Sequence, residues 1–273
     1  MTSLAVATWN VLADCYLTPD LYPRTPARLL LPGARTAPIV GELFRLVETL
    51  RLDAFCLQEV HGSLLDELHS ATLPRVWQVF GSREANAARD QCIVLLCGKW
   101  KLASHDRVPF VQAPENVAQR LVLLNGLAAA VLYNTHFQWA PDNGRLTRAQ
   151  AGELASWVGR ESHPTIVAGD LNSTLESTAL QHLVGAGLAD LHPYESLRTA
   201  DFSHTGPLRL DYILVRGARG RPVAASDIVM DGSEPLPGWR CPSDHLPLAG
   251  RLFVSPPPCA TGRRQPSSTS RVH

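Results

Sequence analysis

The stretch Thr165-Ile166-Val167-Ala168-Gly169-Asp170-Leu171-Asn172-Ser173-Thr174 decides how the rest of the chain is read. A short apolar run ended by glycine predicts a buried strand. An acid and an amide follow two residues apart. On extended backbone such residues point to one side. Asp170 and Asn172 thus face a common point beyond the strand's carboxyl end, where α/β sheets place their sites. A carboxylate can take a proton from water, and an amide can donate to a phosphate oxygen. The same residues can also form an Asx turn that only caps backbone groups, so the stretch needs support from elsewhere in the chain.

Working outward, Leu127 to Tyr133 predicts the strand before it, ending in Asn134-Thr135-His136-Phe137. Arg120 to Leu124 pairs with that strand through Asn125-Gly126, which suits a two-residue type I′ hairpin turn. Leu146, Gln150, Leu154 and Trp157 mark a helix between the two. Towards the amino end, Leu4 to Asn10, Asp53 to Glu59, Trp77 to Phe80 and Cys92 to Cys97 read as strands. Ile39 to Leu50 and Ser63 to Leu73 read as helices. Residues 14–38, rich in Pro, Arg and Leu, read as a long loop. Beyond the opening stretch, Leu175 to Val184 predicts a helix, and Leu210 to Val215 and Leu246 to Val254 predict strands. Strands and helices alternate, but a hairpin interrupts them. The expected class is α/β (α+β), with mixed sheets covered by helices. Residues 1–254 form the expected domain; the Pro-, Ser- and Arg-rich residues 255–273 predict a disordered tail.

Of the 273 residues 45% are hydrophobic, enough for a core, and the formal net charge is zero. Neutrality argues against broad, sequence-independent grip on duplex nucleic acid, which calls for a basic excess. The six cysteines form no C-x-x-C pair, and no apolar run is long enough to span a membrane. The expectation is a cytoplasmic protein with reduced thiols.

Polar residues gather at the strand ends: Asn10, Glu59, His136, Asp170 with Asn172, and Asp211, with Ser243-Asp244-His245 before the last strand. Each has an ordinary explanation as a turn cap, a solvated acid or a core histidine. Together they suit hydrolysis of a phosphate ester. Glu59 is the expected principal ligand of a hard cation such as Mg²⁺, with Asn10 beside it. Asp170 is the expected base for water. Asn172, His136 and His245 are expected donors to oxygens that gain charge. Asp244 is expected to fix His245, and Asp211 to support a second metal or hold His136. No P-loop, G-x-G-x-x-G or H-E-x-x-H is present, which removes common nucleotide-binding and zinc-protease alternatives.

Trp9-Asn10, Leu57-Gln58-Glu59, Asn134-Thr135-His136, Gly169 to Ser173, Leu210-Asp211-Tyr212 and Ser243-Asp244-His245 occur in the order of the endonuclease/exonuclease/phosphatase superfamily. The chain resembles that family, with the DNase I-like fold, from residue 4 to about 253. The resemblance implies a four-layer sandwich of two packed mixed β-sheets flanked by helices, and dependence on Mg²⁺ or Mn²⁺. Thr8 to Asp14, Cys56 to Val60, Asp90 to Ile93 and Gly169 to Thr174 look most like the deadenylase, nocturnin and 2′-phosphodiesterase branch. Pro141 matches a proline that packs on the substrate base in deadenylases. Their phenylalanine before the Asp211 position is missing, since the segment reads Thr205-Gly206-Pro207-Leu208-Arg209.

The expected activity is a phosphodiesterase on RNA or short oligonucleotides, acting from the 3′ end. The alternative is a phosphomonoesterase on a nucleotide or other small molecule. A member kept only for binding would lose Glu59 or Asp170, and both are present. Arg24, Arg28, Arg35, Arg145 and Arg148 are candidates to hold a backbone, and Trp139 to stack a base. No protein partner is expected.

Overall fold

A computed structural model describes residues 1–70, 77–82, 90–139, 144–193, 198–202, 206–223 and 236–256. Strands β1 (Thr2–Asn10), β2 (Ala54–Val60), β3 (Gln78–Gly81), β4 (Gln91–Leu96), β13 (Arg219–Pro222) and β14 (Leu248–Val254) form one sheet in the order β13-β14-β1-β2-β4-β3. Strands β5 (Lys101–Pro109), β6 (Val117–Asn125), β7 (Ala128–His136), β8 (Thr165–Asp170), β9 (Ala189–Asp190) and β12 (Asp211–Arg216) form the second, in the order β5-β6-β7-β8-β12-β9. Short β10 (Ala200–Phe202) and β11 (Gly206–Leu208) pair separately. Both sheets are mixed: β1 runs parallel to β2 and β7 to β8, and the other pairings are antiparallel.

The near-continuous apolar strands follow from burial on both faces. Leu4, Val6, Leu132, Ile166, Ile213 and Leu252 fill the space between the sheets. The opposite face of the first sheet carries α1 (Thr36–Leu50) and α2 (Gly62–Ser70), through Ala5, Ala7, Leu43 and Leu46. The opposite face of the second carries α3 (Arg145–Arg160) and α4 (Thr178–Gly185), through Val131, Val167, Leu154 and Leu183. This is the expected four-layer α/β sandwich.

Three local readings need correction. The hairpin turn lies one residue further on, because Asn125 pairs with Ala128 and only Gly126 has positive φ. Glycine at the first of two loop positions suits a type II′ turn, not the type I′ turn expected from Asn-Gly. Residues 14–38 are not loop throughout: a 3₁₀ turn covers Ala27–Leu30, and α1 starts at Thr36. Strand β5 was not foreseen. Its charged and polar side chains suit an exposed edge, where apolar alternation has no role.

Candidate active site

Register brings the site together. His136, Asp170 and Asp211 lie side by side on β7, β8 and β12: His136 pairs with Asp170, and Asp170 with Asp211. Asp211 begins its strand, and because β12 runs antiparallel to β8 it arrives at the same edge. On the other sheet Asn10 pairs with Gln58, one residue before Glu59. The register of β2 against β4 shifts between Leu57 and Val60. Such a bulge re-aims side chains. Gln58 turns inward and donates to Asn134 Oδ1 at 2.8 Å, while Glu59 borders the cleft.

Glu59, His136, Asp170, Asn172, Asp244 and His245 form the floor of an open cleft of about 810 Å³, whose rim carries Tyr16, Leu21, Asp90 and Trp139. Of the four non-glycine residues with positive φ, Leu12, Glu59 and Asn172 line it. Strained backbone of this kind persists where the surroundings over-determine it, and it clusters at functional sites.

Asp170 sits at the centre. Its Oδ1 accepts the Asn172 N–H at 2.9 Å, which is the Asx turn, and its Oδ2 accepts from Asn10 Nδ2 at 3.0 Å. The turn and the site thus coexist. His136 Nε2 and His245 Nε2 each stand 3.7 Å from Asp170 Oδ2. Asn172 Nδ2 lies 3.2 Å from His136 Nε2 and donates to Phe137 O at 2.8 Å. Glu59 accepts from Asn10 Nδ2 at 2.8 Å and from the Ala13 N–H at 2.9 Å.

Three expected pairings change. Asp211, not Asp244, orients His245: the imidazole Nδ1–H donates to Asp211 Oδ2 at 2.8 Å. Asp211 therefore does not hold His136, which faces Glu59 and Asn172 instead. Asp244 accepts from Tyr22 OH at 2.6 Å, and its Oδ1 is 4.0 Å from His245 Nε2. Asn10 spends its oxygen on the Leu12 N–H, so its NH₂ bridges Glu59 and Asp170 where a ligand oxygen was expected.

Burial disfavours charge on His245, but Asp211, Asp244 and Asp170 outweigh it and hold the imidazole pKa well above its ordinary value. The ring lines the cleft with Nε2 on the side of Asp170. Burial pushes the Glu59 carboxyl up, against the pull of His136.

The donor set fits a hard divalent cation. Glu59, Asp170 and Asp244 are buried and line one cleft, and the buried Asp211 lies beside Asp170 and His245. Ligand atoms of Asp170, Asp211 and His245 lie within 4.8 Å of one another, and Asp211 Oδ1 is buried with no hydrogen-bond partner among the described residues. Oxygen-rich sites of net negative charge suit Mg²⁺, Mn²⁺ or Ca²⁺.

The family model "Endonuclease/Exonuclease/phosphatase family" matches residues 7–245. The chain belongs to this family. Among solved structures, ANGEL2, described as a 2′,3′-cyclic phosphatase, superposes with TM-score 0.71 at 17% identity, covering 92% of this chain and 95% of that one. The human Nocturnin catalytic domain with bound sulfate gives 0.65 at 18% identity, over 93% and 95% of the two chains. An endonuclease/exonuclease/phosphatase from Bacteroides vulgatus gives 0.70 at 17%, over 93% and 100%. A search of curated proteins found no significant match. At these identities the likeness concerns the fold.

The expected substrate-contact residues fare unevenly. Trp139 is exposed on the rim. Pro141 lies outside the described residues. Arg24, Arg28, Arg145 and Arg148 are exposed but do not line the cleft. Arg35 is buried, and it donates to the carbonyls of Val11, Leu12 and Pro242 and to Asp14. It ties loops together and is not available to a phosphate. Tyr16 and Tyr22 went unread. Both fall in a segment without periodicity, which offered no sequence signal.

No described helix is long and apolar enough to cross a membrane. Among the described residues no disulfide forms: Cys56, Cys92, Cys97 and Cys241 are buried thiols, and Cys15 is an exposed one.

Proposed function

We propose that the chain is a metal-assisted hydrolase of phosphoric esters, acting by water attack on a phosphodiester at the end of RNA or a short oligonucleotide. One observation carries this reading: two imidazole Nε2 atoms converge on Asp170 Oδ2, each at 3.7 Å, beside the buried Glu59. Family membership supports the class of reaction.

Glu59 is the residue placed to hold Mg²⁺ or Mn²⁺, with Asp211, whose Oδ1 has no hydrogen-bond partner among the described residues, as a second donor. A bound cation supplies a Lewis acid that neutralises phosphate charge and stabilises the leaving oxygen. Asn10 holds the Glu59 and Asp170 carboxylates at a fixed separation. Asp170 accepts a proton from the attacking water, with its other oxygen pinned by the Asn172 N–H. His245, with His136 and Asn172, donates to the phosphate oxygens as their charge grows. Trp139 offers an exposed ring on which a base can stack, aided by Tyr16 across the rim.

A second reading, phosphomonoester hydrolysis on a nucleotide or other small molecule, is favoured by a specific observation. No Lys or Arg is among the described residues lining the cleft. A long backbone is held by such cations; a single terminal phosphate needs only the floor.

The test compares wild type with Asp170→Asn, each with Mg²⁺, Mn²⁺ or EDTA. The substrates are end-labelled poly(A), mixed RNA, single-stranded DNA and a 2′-phosphorylated nucleotide. Metal-dependent shortening of RNA, absent in the variant, supports the first reading. Phosphate release with intact RNA supports the second. No metal-dependent product from any substrate refutes both.

A further inference from the structure

Tyr22 lies outside every motif used above. Its ring packs with Leu12 and Leu17, with Leu30 against them. The segment that carries it is fastened at both sides. Thr25 Oγ1 donates to Pro237 O at 2.9 Å, and Arg35 Nη1 donates to Val11 O at 3.0 Å and to Pro242 O at 2.7 Å. One side is the end of β1 and the other is the approach to Ser243-Asp244-His245. From this strap the tyrosine hydroxyl reaches a floor carboxylate: it donates to Asp244 Oδ2 at 2.6 Å.

A carboxylate's terminal torsion is soft and roughly two-fold. Ser243 Oγ touches Asp244 Oδ1 only at 3.5 Å, too long to hold it. The short bond from Tyr22 is therefore what fixes the carboxylate plane, with Oδ1 towards His245 Nε2 at 4.0 Å. We infer that Tyr22 is a positioning residue for the proposed hydrolysis, locking the Asp244 carboxylate in one orientation on the cleft floor, where the phosphate would bind. The inference rests on the hydrolase reading, and it gives the long segment after β1 a part in the chemistry beyond walling the cleft.

Tyr22→Phe removes the hydroxyl and keeps the ring. The expected result is a fall in kcat of about 10- to 100-fold, the range for losing a hydrogen bond to a charged group. KM should stay within about twofold, because the rim is untouched. The thermal midpoint should hold, because the apolar cluster remains. Calorimetric titration of orthovanadate with Mg²⁺ present gives a readout that needs no turnover. Tyr22→Phe should bind it more weakly, and Tyr22→Phe combined with Asp244→Asn should bind no more weakly than Asp244→Asn alone. Wild-type kcat and vanadate affinity in Tyr22→Phe would overturn the inference. So would losses that multiply in the double variant, or a kcat fall accompanied by a lower thermal midpoint. Wild type that binds vanadate but hydrolyses nothing would refute the hydrolase reading alone, and the vanadate series would still decide the role of Tyr22. Wild type that does neither would refute both.

Discussion

At the scale of single residues, the floor of the cleft is a problem in crowded charge. Three buried carboxylates, Glu59, Asp170 and Asp244, share it with His136 and His245, and a fourth, Asp211, is bonded to His245 Nδ1. Like charges this close are tolerable only with cations among them. These acids favour the charged form of His245, and a divalent ion would supply two positive charges. Asp170→Asn should lower turnover by about 10²–10⁴, the usual worth of a positioned base, while substrate binding persists; a variant that turned over at near wild-type rate would remove Asp170 from that role. Glu59→Gln should raise the metal concentration for half-maximal activity by about 10-fold or more. A titration with Mn²⁺ reads this directly, and an unchanged midpoint would place the cation elsewhere.

At the scale of elements, Gly169 shows how tightly β7 and β8 are matched. Its φ is +149°, and a Cβ there would lie 1.9 Å from Thr135 O. Gly169→Ala should cost about 3 kcal/mol, the upper end for overpacking, and should displace Asp170 beside it. Urea denaturation and activity on one preparation would show both, and an unaffected unfolding midpoint would mean that the strands can part. His192, between β9 and β10, gives a second prediction. Burial lowers its pKa, and its Nε2 lies 3.0 Å from Ala249 O. The unfolded chain therefore takes up a proton first as pH falls below about 6.5, so this group's stability is lost on acidification and regained above that value. His192→Gln should remove that part of the decline in denaturation midpoint between pH 7 and 5.5; an identical decline would assign it to other groups.

The same elements show what a sequence reveals. The apolar runs of β1, β2, β7, β8 and β12 were legible because burial on both faces leaves continuous hydrophobicity. Asp170, Glu59 and His136 were legible because each stands where such a run stops. β5 was not, since an edge strand exposed to water carries no alternation. The partner of His245 was not, because chain adjacency suggested Asp244, whereas antiparallel pairing delivered Asp211 from 34 positions away. Arg35 looked like surface because arginine usually is; three backbone carbonyls and Asp14 bind its two Nη atoms inside.

At the scale of the whole molecule, the site spans the seam between two sheets. Asn10 and Glu59 come from one, and His136, Asp170 and Asp211 from the other. Under the site the seam is crossed by a polar bridge. Gln58 Nε2 donates to Asn134 Oδ1 at 2.8 Å, and Asn134 Nδ2 donates to Ile93 O at 2.9 Å and to Gln119 Oε1 at 3.0 Å. Replacing Asn134 with leucine strands these partners at about 1–3 kcal/mol for each unsatisfied group. Activity should fall further than stability, because the variant still buries its apolar interface but can shift at the seam. Equal proportional losses in kcat and in folding free energy would reduce the bridge to one more contact.

That bridge can be viewed as an alignment key. Greasy surfaces adhere in many offsets of nearly equal energy, whereas donors and acceptors mate in one. By fixing the offset from below, the key lets the walls above differ in length and chemistry without moving the acids on the floor. Tyr22, bonded to Asp244, is a point where a wall reaches down to the floor.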